Sequence, residues 1–187
     1  MRYSEQKAAQ VAAFFLAKAG GPLEILKLMK LMYLAERRSL AVYGEPMTGD
    51  RLCSMPHGPV LSETLDHINN FIESEPGGWE SWISDREDRK LALRDLNDTI
   101  SKLLLLSEAD LEILEQTWGE FGQMTGPQLR KYTHDHCGEW EDPNGSSIPI
   151  PYARVFKCVG YDPETSNELE TRIKRQRHID LAFAQAS

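Results

Sequence analysis

Cysteine is scarce in this chain of 187 residues: Cys53, Cys137 and Cys158 are an odd number at irregular spacing. That pattern argues against a disulfide framework. With no charged n-region and apolar h-region opening the chain, it leads us to expect a reduced, cytoplasmic setting. Long apolar runs are missing too. Spanning a bilayer takes about 18 or more consecutive apolar residues, and Lys27, Lys30, Glu36 and Arg37 break the longest candidate. No membrane association is expected. Basic residues are in deficit, 21 Lys and Arg against 29 Asp and Glu, for a formal net charge of −8. A surface of that sign opposes attraction to a phosphate backbone, so autonomous nucleic-acid binding is disfavoured. The chain contains no GxSxG, Walker A, GxGxxG or HExxH motif, no internal repeat and no low-complexity tract.

What remains is 41% hydrophobic, enough for one core, and the length suits one domain better than two. The expected fold is mainly α: a single compact helical bundle around a central helix over 23–43, with a small β-hairpin near 80–93. Residues 1–160 form the helical domain and 161–187 a C-terminal helical extension packed on it. Ser4 caps a first helix that stops at Gly20-Gly21, and Pro22 suits the opening turn of the next. At 100° per residue, Leu23 to Tyr43 places Lys27, Lys30, Arg37 and Arg38 in one stripe and apolar residues, Leu31 and Leu34 among them, around the rest. Gly44 suits a left-handed helix end, and Pro46 prevents resumption. A loop or short extended segment covers Leu52 to Met55. Gly58-Pro59 then reads as the start of a third helix through Phe71.

Farther along, Trp82-Ile83 and Leu91-Ala92-Leu93 flank a polar stretch, the pattern of a hairpin. Ser107 with Asp110 is a capping-box arrangement for a helix through Phe121, with Asp in place of Glu. Thr125 caps a helix with Pro127 in its first turn, running to about His134. Pro149 to Val159 reads as a short helix, with a strand as the alternative. Asp162-Pro163-Glu164 starts the last helix, to about Ala184.

Several of these residues fall in a specific order: Lys27, Lys30 and Tyr33-Leu34-Ala35; Tyr43, Gly44 and Pro46; Gly58-Pro59-Val60; and far downstream Thr133-His134 and Trp140. This order resembles the Panacea domain of the SocA-like antitoxins. The resemblance implies an all-helical, non-enzymatic, cytoplasmic protein of a bacterium or phage that needs no cofactor and neutralises a cognate protein toxin by binding it. Delivery of the toxin to an ATP-dependent protease is the other mechanism implied. The motif residues Lys27, Lys30, Tyr33, Tyr43, Gly44, Pro46, Gly58, Pro59, Val60, Thr133, His134 and Trp140 are the candidates for toxin binding or for family architecture.

Competing readings attach to the same residues. His134, Asp135, His136 and Cys137 are the one dense group of metal-ligand side chains, so a small metal-dependent or Cys/His enzyme centred on His134 and Cys137 is the alternative function. The group lacks the paired short spacings of structural zinc, and a thiolate needs an arranged base, so no metal is expected. The bland reading has His134 end a helix, where imidazole suits the dipole. For the basic stripe, internal pairing with the five carboxylates of the 108–120 helix competes with partner recognition. For Gly58-Pro59-Val60 the structural reading is a turn and a core valine. Tyr33 and Tyr43 can pack inward while presenting hydroxyls at the rim. Residues 162–187, with Arg172, Lys174, Arg175, Arg177 and His178, read either as a docking element or as a terminal helix packed through Leu169, Ile173, Leu181 and Phe183.

Overall fold

The computed structural model describes residues 2–84, 87–95 and 99–186. Helix α1 (Glu5–Ala19) starts at Ser4, whose hydroxyl accepts from the Lys7 N–H, and buries Val11, Phe14, Phe15 and Leu16. The next element corrects the expected helix start. Leu23–Glu24 form a short strand, β1, and the central helix α2 runs over Ile25–Tyr43. Leu23 is drawn into extended pairing because it lies opposite Leu91 and its side chain is buried there. Gly44 ends α2 at φ 66°, a left-handed position where glycine carries no Cβ penalty, and its N–H bonds the Leu40 carbonyl.

A hairpin follows. β2 (Leu52–Met55) pairs antiparallel with β3 (Gly58–Leu61), with Cys53 opposite Val60 and Met55 opposite Gly58. Gly58-Pro59 therefore does not open a helix. Gly58 sits at φ 95° in a tight turn, and Val60 and Leu61 are taken up by the ladder. Helix α3 (Ser62–Ile68) begins only after it and ends three residues short of Phe71, where Asn70 turns left-handed. Its cap is remote: the buried Asp50 carboxylate accepts from the N–H groups of Glu63 and Thr64.

Trp79–Trp82 close a single helical turn, α4, so Trp82 is not a strand residue. The expected hairpin is nonetheless present: Ile83 bridges Leu93, Glu87 bridges Lys90, and Asp88 and Arg89 turn the chain, both at positive φ. Residues 85 and 86 of its loop lie outside the described residues. The return arm, β4 (Lys90–Leu91), supplies the partner of β1.

Helix α5 (Glu108–Phe121) has a reciprocal capping box between Ser107 and Asp110, so Asp fills the usual Glu position. Helix α6 (Gly126–His136) has another between Thr125 and Gln128, and runs two residues past the expected end. Both alternatives for 149–159 are partly realised. Ile148–Pro149 form β5, which joins β2 on the side away from β3, and Tyr152–Cys158 form α7. The final helix α8 (Pro163–Ala186) packs on α7 with Ile173 buried, while Leu181 and Phe183 are exposed. Ser187 lies outside the described residues.

The protein is thus mainly α-helical and compact. α2 contacts α1, α5, α6, α7 and β3, so it is the axis on which the rest is assembled. Leu31 and Leu34 are buried on it as expected. Among the described residues, no helix is long and apolar enough to cross a membrane.

Candidate functional site

Lys30 departs most from the amphipathic reading of α2. It does not reach the rim of a polar stripe; its relative exposure is 0%. Its Nζ donates to the Pro59 carbonyl at 2.6 Å, while the neighbouring Met29 Sδ accepts from the Leu61 N–H at 3.4 Å. These are outward-facing backbone groups of β3, so two consecutive side chains of α2 each satisfy one group on the strand's free edge. Gly58 is pressed into the same place. A Cβ there would lie 2.8 Å from Thr133 Oγ1 and 3.0 Å from Lys30 Cε and Nζ. Lys30, Gly58, Pro59 and Thr133, far apart in sequence, meet at one buried junction of α2, β3 and α6.

One helical turn along α2, the Tyr33 hydroxyl donates to Glu139 Oε1 at 2.7 Å and Arg37 Nε donates to the same oxygen at 2.6 Å. Glu139 is wholly buried, and sequence reasoning missed it. The signal available was charge balance, because cations placed on a buried helix need acids nearby. Next to it, the His134 ring stacks on Trp140 with centroids 3.8 Å apart, and Trp140 Nε1 donates to the Met55 carbonyl at 3.0 Å. This stack fastens the segment after α6 to β2.

Burial dominates the electrostatics here. It pushes the Lys30 ammonium down to about 7, with Cys137 opposing and Arg130 adding to the shift. Burial likewise pushes the Cys137 thiol up to about 12, helped by Glu139, and raises the Tyr33 phenol. His134 is held below its ordinary value by desolvation and by Arg130. Cys137 is therefore a buried, protonated thiol, poorly suited to nucleophilic chemistry. Among the described residues, no group of three His, Cys, Asp or Glu side chains is arranged to hold a metal ion.

The four stripe cations all find internal partners. Lys27 Nζ donates to the Gly122 carbonyl at 2.6 Å, Lys30 to Pro59, Arg37 to Glu139, and Arg38 to Glu120. Only Arg38 among them pairs with an α5 carboxylate; the other partners are two backbone carbonyls and Glu139. Tyr43, Gly44 and Pro46 are not part of this assembly. They lie at the far end of α2, with Tyr43 45% exposed and Pro46 buried.

Above the junction is a cavity of about 960 Å³. The first turns of α2 form its floor with Leu26 and Met29, joined by Met55, Val60 and Leu65. Its rim draws on three separate segments: His57 at the β2–β3 turn, Asp88 to Lys90 at the hairpin tip, and Gly145 to Ser147 before β5, with Arg130 of α6 closing it. Two motif residues, Val60 and Lys30, line this space. Because Lys30 belongs to both, the junction that holds it also fixes the groove's base.

A family model described as antitoxin SocA-like, Panacea domain, matches residues 28–141. That span holds Lys30, Gly58, Thr133, Glu139 and Trp140, the whole of the buried assembly. No curated protein and no solved structure matches the chain.

Proposed function

The chain belongs to the SocA-like antitoxin family through its Panacea domain, and from that premise we propose that it neutralises a cognate protein toxin by binding it directly, without catalysis. A toxin–antitoxin role and a cognate toxin partner follow from the family. The mechanism of occupancy is our reading. The observation that carries it is the span of the family match, which coincides with a buried scaffold supporting an open, largely apolar groove. The state of Cys137 supports the non-enzymatic side, since a thiol pushed up to about 12 and 1% exposed offers little thiolate at neutral pH.

The test is co-expression with the protein encoded by the adjoining reading frame. Growth rescue and stoichiometric co-purification are the expected results, in hosts with and without their ATP-dependent proteases. Rescue that vanishes in the protease-deficient host would replace occupancy with delivery to a protease. Rescue without any complex would overturn direct binding.

A further inference from the structure

Resting on the reading of the chain as a toxin-binding antitoxin, we propose that the toxin docks in the groove over α2, and that it does so with a segment presenting a large apolar side chain flanked by carboxylates.

The argument begins with the floor. Leu26, Met55 and Leu65 are half-buried at the groove's base, and the buried Met29 and Val60 complete its apolar lining. The unbranched thioether of Met55 can adapt to the shape of an inserted side chain, whereas Met29 is held by its bond to the Leu61 N–H. The second observation is the charge around that floor. Arg89, Lys90 and Arg130 line the groove and are exposed. Among the described residues none of the three is within ion-pair distance of an acid, whereas Lys7, Lys18, Arg37, Arg38 and Arg154 are each paired. Two acids share the rim, Glu24 and Asp88. Glu24 is turned toward the first turn of α6, since its Oε2 would be 2.9 Å from a Cβ at Gly126. In a chain of net charge −8, three unpaired cations beside an apolar floor form a local basic rim, and their complement is acidic.

The combination selects the occupant. Nucleic acid would meet cations at the rim but an apolar floor beneath. A small apolar metabolite would use the floor and leave the rim idle. A protein segment with an apolar anchor between carboxylates uses both, by the logic that buried apolar anchors supply affinity while rim charges steer encounter and set salt dependence.

The experiment measures binding of the purified adjoining-frame protein to the intact chain, to Arg89→Glu/Arg130→Glu, and to Lys131→Glu as a control outside the groove. Thermal melts of each report folding. The groove pair should weaken binding about tenfold or more and flatten its dependence on salt, because exposed charge contacts are screened. Lys131→Glu should bind as the parent does. A photo-crosslinking residue in place of His57 should capture the toxin, and one in place of Leu104, outside the groove, should not. If the groove pair fails to fold, the His57 cross-link decides alone. Parent-like affinity in the groove pair, or no capture at His57, overturns the groove while leaving the antitoxin reading intact; this is also the result a small-ligand groove would give. If the unmodified chain neither binds nor rescues, both readings fall together.

Discussion

The Lys30 ammonium and the Pro59 carbonyl, 29 residues apart in sequence, are joined by a 2.6 Å hydrogen bond inside the protein. Among the described residues no carboxylate forms an ion pair with this cation. A buried ammonium held by a carbonyl is costly to desolvate, and the cost is visible in its lowered pKa. What offsets it is the sealing of an otherwise unsatisfied strand edge at the junction of three elements.

Lys30→Glu should accordingly unfold the protein, in contrast to what a place on an exposed polar stripe implies. It would set a buried carboxylate against the Pro59 carbonyl and cost about 3 to 5 kcal/mol or more. Urea melts check this. Lys30→Met gives the pH test: with the folded pKa at about 7 and the ordinary value 10.5, the unfolded chain binds more protons between those limits. The parent should therefore gain stability relative to Lys30→Met as pH rises from about 7 toward 10.5. A flat difference across that window would place the amine in a wetter environment.

Gly58→Ala should cost at least about 2 kcal/mol, because a left-handed backbone and overpacking each contribute about 1 to 3 kcal/mol. The added methyl meets Thr133 Oγ1 and the Lys30 side chain. Thr133→Ala in the same chain should recover part of the loss and leave the backbone share. Calorimetric melts of the two single variants and the double separate the contributions.

Glu36 predicts the opposite pH slope to Lys30. It is buried, accepts from the Thr48 N–H and hydroxyl, and burial pushes its pKa up to about 7 from 4.5. Between those values the folded state binds more protons, so stability is fully present below the unfolded pKa and falls as pH rises to about 7. Relative to Glu36→Gln, the parent should lose stability across that window in denaturant titrations. Equal slopes for the two proteins would contradict the assignment.

Thiol labelling tests the enzymatic alternative. Iodoacetamide should modify the exposed Cys158 first in the native protein and reach Cys137 only after denaturation. Peptide mass mapping reads the order. Rapid native alkylation of Cys137 would restore the case for a reactive thiol.

Much of this architecture was legible in the sequence because it rests on local chemistry. The caps at Ser4, Ser107 and Thr125, the left-handed Gly44 and the apolar α2 are all decided within a few residues of one another. The misreadings share a different cause. Leu23-Glu24 and Gly58-Pro59 have helix-compatible local signals, but their conformation is set by strand pairing, with Leu91 and Lys90 for the first and with Met55 and Ser54 for the second, and a helix-start signal does not display a pairing partner. For the stripe on α2 the sequence leaves internal pairing and partner recognition both open; all four cations find internal partners, but Lys30 meets a backbone carbonyl instead of an acid, because helical periodicity ranks positions around an axis without saying what covers each side of the helix. Glu139 was hidden for the same reason. The motif residues were found through resemblance, and the junction explains their spacing: Lys30, Gly58 and Thr133 must fit one another sterically.

The closure of β3 by Met29 and Lys30 also restricts how other chains can approach. An exposed strand edge is a template for pairing, open to a partner's strand or to aggregation. Here the Pro59 carbonyl and the Leu61 N–H of that edge are already taken by α2, and Pro59 has no N–H to give, so an incoming strand would have to displace those two side chains to pair there. Recognition across this face must go through side chains. Side-chain recognition can be retuned one residue at a time, whereas strand addition would fix a partner's backbone in a single register.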